Sequence, residues 1–482
     1  MNKLIVLEIS ETPLGVLQAY AKKHPKSHLA AYINKNNFCL TQAEDLPEEL
    51  LYPTQTWASI NTGKPFAEHK IKWFNDPKSF QDFYWAEVAA AGHSTVLIST
   101  LHSSPMKAFV DTGNYKAVIP DFFAPDSDTY PKAYMPLQAL NRSLTFSNRR
   151  TTSTKQTLLT AIKHFIRAPH FSRWGLGLKS FRDMIPLSLD VIKNPENLRK
   201  LQFPLMMQIF FNELEKNKPV LAIAGTNHIA SAMHRYLHAS PDIDSGISNV
   251  YDASWLEKHN NEVMSAMHLL ERWVSYIDDF ATKNNYAVAM ISSMGQQPNK
   301  AITPEYLADY HYDYRLQDHE KFFSALGVDI NECTQVGAMI PQYAYQTKSI
   351  DAAKEMEKTL LCFSSDSSVN RYGHYTQPNI LADGEGTPLT GILYSVDRNQ
   401  DIVTVSIMLK PEEDQIIKIG EKQYNFAELG FERFPVGDHH SGTHLKTGVL
   451  LFNEKFKEIN GDIGESIDYL EVSKLFKKTI GI

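Results

Sequence analysis

Short apolar runs, each bounded by turn-forming residues, recur along the chain with helical patterns between them. Five runs predict buried strands, at residues 4–9, 94–100, 219–225, 286–293 and 448–452. Apolar positions at helical spacing predict helices over residues 14–23, 79–91, 201–216, 254–282 and 316–326. This alternation predicts an α/β fold with a mostly parallel central sheet and helices on both faces.

A strongly basic segment interrupts this rhythm. Residues 141–202 contain twelve Lys or Arg against three acidic residues, in a chain whose net charge is −7. Within the segment, residues 165–181 interleave aromatic and basic side chains. We interpret 141–202 as a basic helical insertion. It is either a solvated surface element or one that meets an anionic substrate or, through 165–181, a membrane face.

A second interruption lies nearer the far end of the chain. Two alternating apolar runs flank the polar residues 397–399, as in a pair of antiparallel strands. We therefore predict a small α+β insertion over residues 351–429. The remaining segments are predicted to form the α/β core: 1–140, 203–350 and 430–482.

Composition narrows the class of protein. Hydrophobic residues make up 43% of the chain and charged residues 21%, which is ordinary for a globular protein with a sizeable core. The negative charge and the pI near 6.2 argue against a nucleic-acid binder. Three widely spaced cysteines without a CxxC pair favour a reducing compartment. No stretch resembles a signal peptide or a membrane span, so the expected location is the cytoplasm.

The segment from residue 52 to residue 71, YPTQTWASINTGKPFAEHKI, is the strongest local signal of chemistry. Either Thr54 or Thr56 is predicted at the first turn of a short helix over 57–61, where free N–H groups and the dipole favour an anion. A hydroxyl there suits a nucleophile that attacks a phosphorus or sulfur centre. The alternative is an ordinary Thr N-cap with a Gly C-cap at Gly63.

Ligand-type side chains follow the predicted strands at the edge of the sheet where ligands bind. Carboxylates, imidazoles and hydroxyls from separate strand ends are what a metal-assisted hydrolase needs. In chain order the candidates are Glu8, Ser10, Glu11, Asn227, His228, His234, residues 292–298, Asp438, His439, His440 and His444.

Each of these candidates has an alternative interpretation. The cluster of Asp438, His439, His440 and His444 is either a metal site or a polar surface loop. His228 and His234 are six residues apart and do not share one helix face, so one of them is expected to pack or cap instead. Glu8 lies inside an apolar strand and needs a partner whatever its role, and Glu11 could decorate the first turn of a helix.

The arrangement resembles the alkaline phosphatase superfamily, and within it the type I phosphodiesterase/nucleotide pyrophosphatase-like branch. The nucleophile segment of that family is matched by Thr54 or Thr56, Trp57, Thr62-Gly63, Pro65 and His69-Lys70-Ile71. Its late G-x-H-x-x-x-G motif is matched by residues 442–448. The resemblance covers about residues 3–113, 219–298 and 437–452. It implies an alkaline-phosphatase-like fold with the Thr as nucleophile, Thr54 being nearer the usual spacing.

The chain departs from the family at several ligand positions. Ser10 stands nearest to the usual Asp after the first strand, although Glu8 or Glu11 could substitute, as a Glu does in relatives that transfer phosphoethanolamine. Ser293-Met294 replace the Asp-His pair of a Ser-Asp-His-Gly motif. The resemblance leaves Glu8, Glu11, Asn227, His228, His234 and His444 as metal ligands. These replacements argue against a full two-metal site and favour one divalent ion, zinc or manganese.

Two main functions follow from this resemblance. One is a divergent phosphoric-ester (or sulfuric-ester) hydrolase or phospho-group transferase, with a phosphorylated small molecule or a glycan- or lipid-linked phosphate as substrate. The other is a non-catalytic binding or scaffolding protein that keeps the fold without its two metals. A third reading is metal-free catalysis with His234 or His444 as general base. The oligomeric state is left open.

Overall fold

The fold was analysed in a computed structural model of the chain. The residues it describes are 1–46, 51–74, 76–147, 178–193, 200–244, 251–300, 312–338, 342–362, 393–408, 417–419, 422–435 and 441–482. Its strands, in chain order, are β1 Lys3–Glu8, β2 Phe38–Gln42, β3 Thr95–Ile98, β4 Tyr115–Ile119, β5 Leu221–Gly225, β6 Tyr286–Ile291, β7 Gly295–Pro298, β8 Tyr312–Leu316, β9 Cys333–Val336, β10 Gln342–Thr347, β11 Leu393–Asn399, β12 Ile402–Met408, β13 Ile417–Ile419, β14 Lys422–Tyr424, β15 Phe431–Pro435, β16 Gly442–Leu445, β17 Thr447–Phe452 and β18 Ser466–Asp468.

The α-helices alternate with the strands along much of the chain, as predicted. In chain order they are α1 Leu14–Lys23, α2 His28–Asn34, α3 Pro53–Thr62, α4 Phe66–His69, α5 Tyr84–Ala90, α6 Met135–Ser147, α7 Leu178–Lys193, α8 Gln202–Asn217, α9 His228–Tyr236, α10 Ala253–His259, α11 Glu262–Asn284, α12 His319–Ala325, α13 Ile350–Cys362, α14 Glu454–Asn460 and α15 Val472–Ile480. Within the described residues, no helix is both long and apolar enough to cross a bilayer.

Eight strands form the central sheet in the order β18-β2-β17-β6-β1-β5-β3-β4. Strands β6, β1, β5, β3 and β4 run parallel to one another. β17 runs antiparallel to both of its neighbours, β6 and β2. The sheet is therefore mostly parallel, which confirms the predicted fold class.

Alternate residues of β1 supply the two cores that lie on opposite faces of the sheet. Ile5 and Leu7 join a cluster with α1, α2, α8, α9 and α11, whereas Leu4 and Val6 join a cluster with α3, α5 and α15. Burial on both faces explains why the central strands read as continuous apolar runs. The helices cover both faces, as predicted.

The observed elements differ from the predicted ones where polar residues cap or interrupt a pattern. The predicted helix 254–282 is two helices, α10 and α11, separated at Asn260 and Asn261, a residue type that favours helix ends over helix interiors. The predicted helix 316–326 begins later, at His319, because the side chain of Asp318 caps it by accepting from the N–H of Lys321. Strands β2 and β4 were not predicted, since each carries polar residues among its apolar ones.

A second, smaller sheet has the order β11-β12-β10-β9, and its strands are antiparallel. It packs on α12 and α13 around a separate hydrophobic cluster that runs from Leu316 to Phe431. The cluster includes residues from the predicted core segment 203–350 and from the predicted insertion 351–429. The domain boundaries proposed from the sequence stay a prediction. The small sheet is tied to the main body by Lys72, whose Nζ lies 2.6 Å from Oδ1 of Asp397.

Candidate functional site

Three metal-ligand side chains converge at the carboxyl edge of the central sheet. Glu11 follows β1, after Ser10 takes a left-handed φ of 51° that turns the chain off the strand. His234 lies on α9, the helix after β5, and His444 lies on β16, opposite Gln296 of β7. One ligand atom from each of the three lies within 4.8 Å of the others.

The Glu11 carboxylate is the centre of this group. Its Oε2 lies 2.8 Å from Nε2 of His234 and 3.3 Å from Nε2 of His444. The second contact is not an aligned hydrogen bond, since Nε2 of His444 has no hydrogen-bond partner among the described residues. The amide of Gln296 also donates to the same carboxylate oxygen. Glu11 is 3% exposed, so these neighbours replace the water that an exposed carboxylate would have.

Proton affinities in the group follow from burial and charge. Burial would raise the pKa of the Glu11 carboxyl, but the charges of His234 and His444 hold it well below its usual range. Burial lowers the pKa of His234, yet Glu11 outweighs that effect and raises it. The other ring nitrogen, Nδ1, lies 3.3 Å from the carbonyl oxygen of Gly442. Both nitrogens of His234 thus face acceptors, which favours the protonated ring.

The group fits a divalent metal ion. In a tetrahedral zinc site with metal–ligand distances of about 2.0–2.2 Å, neighbouring ligand atoms lie about 3.3–3.6 Å apart. The 3.3 Å contact of His444 already has that spacing, and the 2.8 Å contact of His234 needs only a small opening. One carboxylate and two imidazoles leave a fourth position for water or substrate. The Gly442 carbonyl contacts His234, and the Gln296 amide donates to Glu11. Contacts of this kind orient the ligands in metal sites.

Neutral polar groups, linked to one another, lie next to this metal-ligand group. The hydroxyl of Thr56 donates to Oγ of Ser293 at 3.0 Å, and the N–H of Ser293 donates to the carbonyl of Ser10 at 3.1 Å. The Ser10 hydroxyl donates to the side-chain oxygen of Asn227 at 3.3 Å. Hydroxyl and amide groups are weak metal ligands, so this part of the site is suited to hydrogen bonding.

Helix α3 brings the two candidate threonines to this edge. It begins at Pro53 rather than at residue 57, because proline is preset for the first helical position. It ends at Gly63 with a left-handed φ of 64°, as the Thr-Gly signal predicts. The ring of Tyr52, the N-cap, lies 6.0 Å from the ring of His444. The start of α3 therefore adjoins the metal-ligand group.

The two threonines differ in their surroundings, although both are buried. Thr56 is linked to Ser293, whereas the Thr54 hydroxyl has no hydrogen-bond partner among the described residues. The Thr54 carbonyl accepts from Nε2 of His102 at 2.6 Å. Burial lowers the pKa of His102 well below its usual range, so the ring is neutral. The structure thus ties Thr56, rather than Thr54, to the residues around Glu11.

Three predicted metal ligands are not among the side chains that meet at Glu11. His228 turns into the core, where its ring stacks on Phe203 at 3.7 Å and Nε2 contacts the carbonyl of Ala266 at 3.1 Å. Asn227 contacts Ser10. Glu8 lies on the opposite side of β1, because it alternates with Leu7 along the strand and shares the face of Leu4 and Val6.

The sequence assigned no individual role to three residues that shape the site: Tyr52, His102 and Gln296. Tyr52 begins the segment 52–71 and Gln296 lies in the candidate range 292–298, whereas His102 follows the predicted strand 94–100 and was not among the candidates. Asp438, His439 and His440, together with residues 165–177 of the aromatic and basic stretch, lie outside the described residues.

No protein-family model matches the chain, and no curated protein matches it. Among solved structures, an inactive variant of murine ectonucleotide pyrophosphatase/phosphodiesterase 5 in complex with AMP is 12% identical, with a TM-score of 0.37, and the match covers 100% of this chain and 96% of that one. The human protein of the same name is 9% identical with a TM-score of 0.38, over 100% and 95%. Phosphonoacetate hydrolase from Sinorhizobium meliloti 1021, in complex with phosphonoformate, is 13% identical with a TM-score of 0.42, over 100% and 96%.

Identities of 9–13% and TM-scores of 0.37–0.42 are too low to carry a family or an activity over to this chain.

Proposed function

We propose that this protein is a metal-dependent hydrolase or group transferase of phosphoric (or sulfuric) esters. Glu11, His234 and His444 would hold one divalent ion, zinc or manganese, and Thr56 would be the nucleophile. The observation that carries the proposal is the convergence of these three side chains, within 4.8 Å of one another, beside the start of helix α3.

The chemistry divides between the ion and the protein. A bound divalent ion polarises the phosphoryl oxygen and neutralises developing negative charge. Helix α3 turns its positive dipole end towards the same region, which favours an anionic group there. The Thr56 hydroxyl donates a hydrogen bond to Oγ of Ser293 at 3.0 Å, and this bond fixes the direction of the Thr56 oxygen. Burial of Thr56 and Ser293 limits water around this hydroxyl.

Thr56 is preferred to Thr54 because of a continuous chain of contacts. Its hydroxyl reaches Ser293, and the N–H of Ser293 reaches the carbonyl of Ser10, which directly precedes Glu11. The hydroxyl of Thr54 has no such connection among the described residues. The spacing from the Thr-Gly pair slightly favours Thr54, whereas the contacts around α3 support Thr56.

The substrate proposed is a phosphorylated small molecule or a glycan- or lipid-linked phosphate. Support for an anionic ligand comes from the α3 dipole, the metal-ligand group and the excess of Lys and Arg in residues 141–202. Peripheral membrane contact through residues 165–181 and a cytoplasmic location belong to the same proposal.

Metal analysis combined with an ester panel tests this function. Purified protein should contain about one zinc or manganese per chain, and it should hydrolyse at least one phosphomonoester, phosphodiester or sulfate ester. His444→Ala should abolish both the metal and the turnover. Metal-free protein that still turns over an ester would favour general-base catalysis by His234 or His444 instead.

A second candidate is a non-catalytic binding protein with the same metal site. It is favoured by the neutral character of Ser10, Asn227 and Ser293, which replace stronger ligands with hydrogen-bonding groups. Bound metal without turnover on the whole panel, and ligand binding that survives Thr56→Val, would select this function.

A further inference from the structure

Helix α7 carries an exposed face that is mostly apolar. This α7 face consists of Arg182, Ile185, Pro186 and Leu189, which are all exposed and which share one side of the helix because of their spacing. Ile185 is 59% exposed and Leu189 is 58% exposed. Among the residues that the structure describes, no other helix exposes two large apolar side chains. A single exposed apolar residue is ordinary, whereas a pair one turn apart indicates a contact surface.

The opposite face of α7 is fixed to the protein, so the helix cannot rotate to bury its apolar side. The Asp183 carboxylate is 2% exposed and accepts from the guanidinium of Arg272 and, at 3.1 Å, from Nε1 of Trp273. Leu187, one turn further on, is buried in the hydrophobic cluster on that side of the sheet. A rotation would pull the charged Asp183 out of its contacts, which is costly for a buried carboxylate. The α7 face is therefore left outside.

Basic side chains gather beside α7. The ring of His268 on α11 lies 6.0 Å from the ring of His24, which follows α1. Burial lowers the pKa of His268, and three neighbouring basic groups lower it further, while Asp183 opposes them. These three groups are Arg272, His24 and Arg182. Three separate elements thus bring basic groups to the edge of the α7 face.

The sequence around α7 has the same sign of charge. The helix lies inside the basic segment 141–202, which holds twelve Lys or Arg residues and three acidic ones, whereas the whole chain has a net charge of −7. The rest of the protein is therefore acidic and repels an anionic surface, while this segment attracts it. An anionic surface should meet the protein on the side of α7.

An anionic lipid bilayer matches both properties of the α7 face. Apolar side chains of a helix that lies on a membrane enter the boundary between headgroups and acyl chains, and basic residues around them are attracted by anionic lipids. A second copy of the chain matches less well. In a symmetric dimer the same basic groups would face each other, and like charges across an interface are unfavourable.

We propose that the α7 face docks on a membrane surface that contains anionic phospholipids. Ile185 and Leu189 enter the interface, and Arg182 with the basic groups beside it contacts lipid phosphates. This docking surface rests on the peripheral membrane contact that belongs to the proposed function, and it places that contact on described residues of α7. Among the substrates proposed above, docking favours a lipid-linked phosphate over a freely diffusing one.

Co-sedimentation of the full chain with lipid vesicles tests this surface. The protein should bind vesicles of phosphatidylcholine with phosphatidylserine, less so at high salt, and bind phosphatidylcholine alone weakly. The double variant Ile185→Ser, Leu189→Ser should lower the partition coefficient by about ten-fold or more, and Arg182→Gln should lower it by about five-fold. Ile350→Ser is the matched control, because this isoleucine is 48% exposed on α13 and its loss should leave binding unchanged.

Several results would overturn the docking surface. One is wild-type protein that does not bind the phosphatidylserine vesicles, and another is binding that the double variant retains in full. A wild-type dimer that the double variant converts to a monomer would assign the α7 face to a second copy instead. A melting temperature that the double variant lowers by several degrees would show that this chain itself covers the face.

The docking surface and the proposed function can fail separately. Zinc or manganese content and turnover of a water-soluble ester should be the same in the wild type and in all three variants, because α7 contributes no residue to the Glu11 group. Loss of vesicle binding with unchanged turnover concerns α7 alone. Absence of metal and of turnover in a wild type that binds vesicles concerns the proposed function alone.

Discussion

Nε2 of His234 lies 2.8 Å from Oε2 of Glu11, and Nδ1 of the same ring lies 3.3 Å from the carbonyl of Gly442. One imidazole thus joins the end of β1 to the strand that carries His444. The Gly442 contact fixes the ring, so that the other nitrogen points at Glu11. Such a contact would orient His234 for the proposed metal ion before the ion binds.

Gln296 should matter for metal affinity although it is not a ligand. Its amide donates to the Glu11 carboxylate and, at 3.3 Å, to the carbonyl of Ala230. Gln296→Leu should weaken zinc binding by about 10–100-fold, measured by competition with a chelator. Gln297→Leu is the matched control, because the neighbouring residue is exposed and should leave the affinity unchanged. Equal effects of the two changes would contradict this role.

Substitutions of Thr56 and of Thr54 should differ in their effect on kcat. Thr56→Val removes the hydroxyl that contacts Ser293 and should lower kcat by about 1,000-fold or more. Thr56→Ser should keep measurable activity, since it keeps a hydroxyl at the same place. Thr54→Val should have the smaller effect on kcat, and the reverse order would return the nucleophile to Thr54.

The Glu11–His234 pair should give the metal-free protein a characteristic dependence of stability on pH. The pKa of Glu11 is lowered from 4.5, so its contribution is present above that pH and is lost as pH falls through the lowered value. The pKa of His234 is raised from 6.5, so its contribution is present below that pH and is lost as pH rises through the raised value. The free energy of unfolding should therefore be higher for the wild type than for Glu11→Gln, and this difference should be largest between pH 4.5 and 6.5.

Denaturant unfolding of both metal-free proteins across this pH range measures the difference. A difference that keeps growing above the raised pKa of His234 would contradict the pairing. Zinc affinity should show the opposite trend and increase with pH, because the metal must displace the proton of His234.

Gly225 should not tolerate a side chain. An alanine Cβ would press on the Ser99 carbonyl at 2.2 Å and on Oε2 of Glu8 at 3.0 Å. Gly225→Ala should lower the free energy of unfolding by about 1–3 kcal/mol. Gly15→Ala is the control, since its Cβ would meet no atom within 4 Å and alanine suits a helix better than glycine. Destabilisation by Gly15→Ala and not by Gly225→Ala would refute this account of the sheet edge.

The sequence was sufficient for the core of the fold because the central strands are buried on both faces. The run LIVL of β1 and the run LAIAG of β5 have no polar interruption, so their pattern is readable without the structure. β2, in contrast, alternates buried and partly exposed residues in FCLTQ, and its pairing with β17 could not be read locally. β2 forms because it pairs with β17, which lies far away in the sequence.

The site was only partly predictable, for a related reason. Glu11, His234 and His444 were all among the candidates, because each has the right chemistry and follows or precedes a strand. Which candidates meet depends on the turn at Ser10 and on the rotation of α9, which directs His228 into the core and His234 towards Glu11. The six-residue spacing indicated that His228 and His234 lie on different faces of the helix, but it did not indicate which of them faces the site.

The position of β17 in the sheet has a consequence for how the protein is made. This strand arrives late in the chain and yet lies between β6 and β2, inside the sheet rather than at its edge. Just before it comes His444, whose partner Glu11 lies near the other end of the sequence. A growing chain on the ribosome can complete neither the sheet nor the metal-ligand group until this last portion has been synthesised. Folding and metal capture should therefore be late, coupled events, and a chain that is cut short before residue 442 should acquire neither.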